Sequence, residues 1–204
     1  MRAVIICGGA ISDYGYIKSL IGRDDLIICA DSGYDHALKM SLAVDLVVGD
    51  FDSITHLPQD VACVRYPAKK DQTDTEIAIE QARQRGRDDF LLLAATGTRL
   101  DHTLANILLL KDFLMRKERA AIIDEHNKIM ITDSVLSLRE PKGSIVSLIP
   151  LTECFGVTSE GLEYPLNETS LVVGRSLGVS NIMGADCARI SIRGGTLLVI
   201  VARD

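Results

Sequence analysis

Four clusters of acidic and small polar residues each stand directly behind a short apolar run. They are Ala30-Asp31-Ser32-Gly33, Gly49-Asp50-Phe51-Asp52-Ser53, Lys69-Lys70-Asp71-Gln72-Thr73-Asp74 and Thr96-Gly97-Thr98-Arg99-Leu100-Asp101-His102. Asp50 and Asp52 are two apart, so an extended backbone projects both carboxylates to one face. Held that close they repel, and a divalent cation relieves the repulsion. Hard oxygen donors of this kind suit Mg2+ shared with substrate phosphates, although the same pair alone in a loop is equally at home in water. Arg99, at a strand-to-helix turn, has the planar fork that grips a phosphate. Asp74 also reads as an acid complementing a helix dipole, and Asp101 as a helix cap. Lys69 and Lys70 can neutralise phosphate or simply lie solvated. His102 has no Ser or Cys partner in a nucleophile motif, which disfavours triad hydrolysis.

Two absences narrow the chemistry. No GxxxxGK[ST] run occurs, and Cys7-Gly8-Gly9-Ala10 is not GxGxxG, which sets aside a P-loop kinase and a dinucleotide oxidoreductase. What remains is a metal-dependent transferase that holds nucleotide phosphates with acids, Mg2+ and an arginine.

The elements that must position these residues follow from the apolar pattern. Residues 3–7, 26–30, 46–48, 61–66, 90–95 and 120–123 are short and apolar on successive positions, as strands covered on both faces are. Thr73-Asp74-Thr75-Glu76 has the capping-box form and opens a helix that Gly86 would stop. A second helix is expected over 101–117, with Leu104, Ile107, Leu108, Leu114 and Met115 on its packed side. Shorter helices are expected over 14–21 and 34–40. Alternating strand and helix predicts an α/β domain over 1–125 with a doubly wound, mostly parallel sheet. In such a sheet ligands collect beyond the carboxyl ends of the strands, where the four clusters lie. After about residue 124 the helical period stops. Runs at 128–132, 135–139, 145–149, 156–159, 171–173, 188–192 and 197–201, separated by turn residues, predict an all-β domain over 126–204, a small sandwich or barrel.

Composition bounds the function. The 204 residues are 47% hydrophobic and 25% charged, the balance of a folded globular chain. Lys+Arg 22 against Asp+Glu 28 gives −6, which argues against a binder of nucleic acid, and the absence of Trp argues against base-stacking platforms. The five cysteines are scattered without a CxxC pair, so neither a disulfide framework nor a zinc site is expected. Cys7, Cys29 and Cys63 lie in apolar runs and are expected in the core. No run approaches the roughly 18 apolar residues of a membrane span. The N-terminus enters its first strand too soon for a signal peptide, so a cytoplasmic location without membrane contact is expected.

The ordered set Ala30-Asp31-Ser32-Gly33, Gly49-Asp50-Phe51-Asp52-Ser53, Lys70-Asp71-Gln72-Thr73-Asp74 with Glu76, and Arg99-Leu100-Asp101-His102 with Asn106 resembles the thiamin pyrophosphokinase (thiamin diphosphokinase) family. Gly161-Leu162-Glu163-Tyr164-Pro165-Leu166, Gly174 and Gly178-Val179-Ser180-Asn181 are similar to that family's C-terminal signature. The resemblance implies a Rossmann-like α/β/α domain, a C-terminal β-sandwich, and a homodimer with thiamin bound between subunits. It implies transfer of pyrophosphate from ATP to the hydroxyethyl oxygen of thiamin, giving thiamin diphosphate and AMP. Position by position, it places Asp50, Asp52 and Asp74 around Mg2+ and the phosphates as metal-binding and catalytic acids. It puts Asp31, Gln72, Thr73, Arg99 and Asp101 elsewhere in the nucleotide site, and Ser180 and Asn181 against thiamin. The pattern departs at Thr98, where the family usually has a second Gly. Two other readings stand beside this one: a non-catalytic nucleotide or thiamin sensor, and a different metal-dependent nucleotidyl- or glycosyltransferase.

Overall fold

A computed structural model describes residues 1–56, 58, 60–67, 69 and 71–203. Lys70, one of the two expected phosphate-neutralising lysines, lies outside the described residues. The chain forms two compact units, Met1–Glu125 and His126–Asp204.

The first unit runs β1 (Ala3–Ile6), α1 (Tyr14–Ser19), β2 (Leu26–Ala30), α2 (Gly33–Lys39), β3 (Leu46–Gly49), β4 (Cys63–Arg65), α3 (Asp74–Arg83), β5 (Asp89–Leu93), α4 (Leu100–Met115) and β6 (Arg119–Ile123). All six strands are parallel, in the order β4-β3-β2-β1-β5-β6. Every residue of β1 is buried: Val4 and Ile6 join Ile17 of α1 and Tyr34 and Ala37 of α2 in one cluster, and Ala3 and Ile5 are sealed on the other face. α3 lies against β1, β2 and β3, and α4 against β6. That double coverage is why these strands read as unbroken apolar runs.

The capping box of α3 is present as the sequence predicts, with Glu76 N–H donating to Thr73 Oγ1 (3.2 Å) and Thr73 N–H to Glu76 Oε2 (2.8 Å). Three expectations need correction. The 61–66 run yields only the three-residue β4, at the sheet edge, so Cys63 is exposed rather than a core residue. α4 is apolar on more than one side, and the packed side is Asn106, Leu110 and Phe113. Phe113 packs against Phe90 with tilted rings 4.8 Å apart between centroids, while Leu104, Leu108 and Met115 remain exposed. Asp101 does not cap α4: the cap position is Arg99, and Asp101 lies in the first turn.

The second unit contains β7 (Asn127–Thr132), β8 (Val135–Arg139), β9 (Ile145–Pro150), β10 (Cys154–Glu160), β11 (Thr169–Leu171), β12 (Asn181–Ile182), β13 (Cys187–Ser191) and β14 (Leu197–Ala202). Two antiparallel ladders form, β12-β9-β14-β7 and β11-β10-β13-β8. Val146 and Leu148 of β9, Val199 of β14, Val157 of β10 and Ile190 of β13 share one buried cluster. The strand expected at 171–173 instead ends at Leu171, because Val172 and Val173 are exposed. Among the described residues no helix is long and apolar enough to cross a membrane.

Candidate functional site

In the first unit β1 is flanked by β2 on one side and β5 on the other, so the order of connections reverses there. A crevice opens at such a reversal, beyond the carboxyl ends of the strands. A cavity of about 640 Å3 occupies that place, with walls drawn from the chain just after β1, β2, β3 and β5 and from the first turns of α3 and α4. Its floor is stitched by Cys7 N–H to Leu93 O (2.9 Å), Gly9 N–H to Ala94 O (2.7 Å) and Ala10 N–H to Thr96 O (2.9 Å). A Cβ on Gly9 would overlap the Thr96 and Ala94 carbonyl oxygens, so only glycine lets the two loops approach this closely.

Asp31, Asp50, Asp52, Gln72, Thr73, Asp74 and Arg99 all line this cavity, as does Thr98. Asp31, Phe51 and Ala94 adopt left-handed backbone angles (φ 47°, 66° and 51°), each turning the chain sharply after its strand. Such conformations cost about 1 kcal/mol or more apiece and persist where the surroundings enforce them.

Asp31, Asp50 and Asp52 present carboxylate oxygens within 4.8 Å of one another. Oδ1 of Asp31 is buried with no hydrogen-bond partner. Burial pushes the Asp31 carboxyl above the usual range; hydrogen bonding from the Ser32 amide and the Ser53 hydroxyl opposes this in part, and the neighbouring charges of Asp74 and Asp50 add to the rise. Three hard oxygen donors with one orphaned oxygen among them fit Mg2+, which would satisfy that oxygen and cancel the repulsion. The expected set Asp50, Asp52 and Asp74 therefore gathers differently: Asp31 joins the close trio, and Asp74 stands in the same cavity wall outside it.

Asp31→Asn should raise the melting temperature of the cation-free chain by about 2 °C, since it removes a desolvated charge and Asn tolerates the left-handed backbone. The sign follows from the raised value. The wild-type penalty is absent below the ordinary carboxylate range near about pH 4 and develops as pH rises through the shifted value. Melting curves with and without Mg2+ check this; a lower melting point for the variant without Mg2+ would contradict it.

The loop carrying Asp50 and Asp52 is held from two sides. Arg65 Nε donates to the Asp50 carbonyl (3.2 Å) and its guanidinium lies 5.8 Å from the Phe51 ring centroid. Asp35 of α2 accepts from Thr55 N–H (2.9 Å) and His56 N–H (3.3 Å). Ser53 Oγ donates to Asp52 (2.8 Å). Beyond β5, Thr103 Oγ1 accepts from Gly97 N–H (3.1 Å), Asn106 Nδ2 donates to Ala95 O (2.8 Å), and Thr96 Oγ1 donates to Asp124 (2.7 Å). Of these supports only Asn106 figures in the sequence reading, as part of the motif that carries the resemblance.

Asp101 does not line the cavity; it accepts from Arg99 Nε (3.2 Å) and Nη2 (2.6 Å), a pairing that holds its carboxyl down to about 2. Both partners are exposed, so the pair orients the guanidinium rather than stabilising the fold.

Ser180 and Asn181 lie in the second unit. Ser180 is exposed, with φ 57° and its N–H on Ser147 Oγ (3.1 Å). Asn181 is buried, its Oδ1 accepting from Tyr164 N–H (3.1 Å) and Ile182 N–H (2.8 Å) and its Nδ2 donating to Tyr164 O (2.7 Å).

Residues 17–123 match the family profile described as thiamin pyrophosphokinase, catalytic domain, and residues 133–197 match thiamin pyrophosphokinase, vitamin B1 binding domain. The chain is 30% identical over 216 aligned positions to the thiamine pyrophosphokinase of Bacillus subtilis (strain 168), covering all of both chains. A crystal structure of thiamine pyrophosphokinase from Bacillus subtilis superposes with a TM-score of 0.91 at 25% identity, again over all of both chains. One of thiamin pyrophosphokinase from Geobacillus thermodenitrificans gives 0.88 at 26% identity, over 100% of this chain and 98% of the other.

Proposed function

The chain belongs to the thiamin pyrophosphokinase family, and from that premise we propose that the acid-lined cavity of the first unit binds the triphosphate of ATP through a divalent cation. The reaction is transfer of the pyrophosphoryl group of ATP to the hydroxyethyl oxygen of thiamin, giving thiamin diphosphate and AMP. The observation that carries the site reading is the orphaned Asp31 oxygen beside Asp50 and Asp52. Those three carboxylates would hold Mg2+, and Mg2+ bound there supplies charge neutralisation to the polyphosphate.

The thiamin hydroxyl oxygen bonds to the β-phosphorus as the bridge to the α-phosphate breaks, and AMP leaves with the bridging oxygen. A carboxylate takes the hydroxyl proton, with Asp74 and Asp52 the candidates. Arg99 offsets charge developing on the leaving side, held ready by Asp101. Gln72 and Thr73, at the start of α3, border the phosphates. A cluster of carboxylates also attracts the cationic thiazolium ring.

We read the first unit as a Rossmann-like nucleotide-binding, catalytic domain and the second as a β-sandwich that binds thiamin and dimerises. The profile match over residues 133–197 includes Ser180 and Asn181 and supports that placement. We infer a cytoplasmic homodimer with thiamin between subunits; the exposed apolar side chains Leu100, Leu104 and Leu108 of α4 and Val173, Leu177 and Val179 of the second unit support the self-association. Asn181 serves by fixing the Tyr164 segment, and Ser180 by its free hydroxyl. Ser180→Ala should raise KM for thiamin about fivefold, one lost hydrogen bond, with KM for ATP unchanged. Steady-state kinetics varying each substrate check this, and the reverse pattern would displace Ser180 from the thiamin site.

The deciding assay incubates the chain with ATP, Mg2+ and thiamin and follows AMP and thiamin diphosphate, with EDTA and thiamin-free controls. Stoichiometric AMP and thiamin diphosphate, abolished by EDTA, is the expected result. A sensor would form no AMP, and another transferase would consume ATP without thiamin.

A further inference from the structure

We propose that His36 of α2 is a positioning residue for the nucleotide site, fixing the glycine turn that forms the cavity floor. Its Nε2 lies 2.8 Å from the Gly9 carbonyl oxygen and its Nδ1 2.8 Å from the Tyr14 hydroxyl. A carbonyl oxygen only accepts, so Nε2 carries the hydrogen. In the neutral ring Nδ1 then accepts, and the Tyr14 hydroxyl donates to it. Lys39 Nζ in turn donates to the Tyr14 oxygen (3.2 Å) and sits 5.4 Å from that ring's centroid.

Every hydrogen bond in this row therefore runs the same way, from Lys39 through Tyr14 and His36 to Gly9, and each polar atom in it is satisfied. Burial keeps the imidazole below its ordinary range, the Gly9 carbonyl opposes that, Lys39 adds to it, and Asp35 and Glu125 also oppose it. The net direction favours the neutral ring that the row requires.

Gly9 is thus clamped twice, by Ala94 O on its N–H and by His36 on its carbonyl. Neither clamp is a cavity-lining side chain, and His36 is 27 residues from the glycine it holds. Losing the His36 clamp leaves the turn free to tilt while the sheet beneath stays paired, so the effect falls on whatever the floor supports. This rests on reading the cavity as the ATP site.

The test compares His36→Leu, His36→Gln and Tyr14→Phe in the full chain, measuring KM and kcat for each substrate alongside thermal melting. His36→Leu should raise KM for ATP about tenfold, with KM for thiamin unchanged, because it leaves the Gly9 carbonyl without its donor. His36→Gln, whose amide nitrogen reaches the place of Nε2, should recover most of that loss. Tyr14→Phe, which keeps the packing and removes only the orienting hydroxyl, should raise KM for ATP about threefold. Equal effects of Leu and Gln, or equal effects on both substrates, would reduce His36 to packing and overturn the proposal. If His36→Leu fails to fold, an unchanged KM for ATP in Tyr14→Phe overturns it instead. A wild-type chain that neither binds nor turns over ATP would overturn the site reading first, and this proposal with it.

Discussion

Asp52→Asn should lower kcat by about 10³-fold while leaving the far-UV spectrum unchanged and the melting temperature of the chain no lower. The substitution is isosteric and retains an oxygen able to accept from Ser53 Oγ, the hydrogen bond Asp52 makes in the structure. Asp52 is exposed, so no buried contact is lost. What disappears is one negative charge from three carboxylates gathered within 4.8 Å, and with it, on the proposed reading, a ligand for the cation that would draw the triphosphate into line. Single-turnover measurement of AMP release separates loss of chemistry from loss of ATP binding. Turnover within a few fold of wild type would remove Asp52 from the metal site and leave the acidic trio without its proposed purpose.

The second large effect concerns the scaffold. Gly33→Val should destabilise the chain by about 3 kcal/mol or more, a large share of an ordinary domain's margin. Gly33 opens α2, and a Cβ there would overlap the Ile6 carbonyl oxygen and crowd its carbon. Ile6 has no freedom to retreat, since β1 is paired with β2 on one side and β5 on the other. The helix must lift instead, carrying Asp35 away from the Thr55 and His56 amides and His36 away from Gly9. Urea unfolding followed by circular dichroism measures the loss, and a wild-type midpoint would show that α2 tolerates displacement. In any folded fraction the affinity for ATP should fall as well.

How much of this was legible in the residues depended on where each signal lies. β1, β2, β3 and β5 stand out because burial on both faces demands apolar side chains at successive positions, Asp89 at the start of β5 excepted. β4, exposed at the edge, carries no such demand, and β12 is two residues defined only by their register with β9. α4 misled because it is apolar on several sides, while the buried Asn106 is of a residue type that ordinarily marks the solvent side. The acids of the site were legible because polar residues stand immediately behind apolar runs. The residues that brace the acid loop and the cavity floor were not, since Asp35 and His36 of α2 act on backbone 20 and 27 residues away. Nothing in local spacing encodes such reach.

The central place of β1 also sets an order of assembly. Its partner on one side, β2, follows within about 20 residues of chain, but its partner on the other, β5, is about 80 residues further on. At translation speeds of roughly 5–20 residues per second, the ribosome delivers β5 several seconds after β1 and β2 can dock. Throughout that interval one flank of the innermost strand is bare, and the amide of Gly9 has no Ala94 carbonyl to meet. The nascent chain is therefore most adhesive while its cavity floor is half made, and that flank of β1 is covered only when the floor closes.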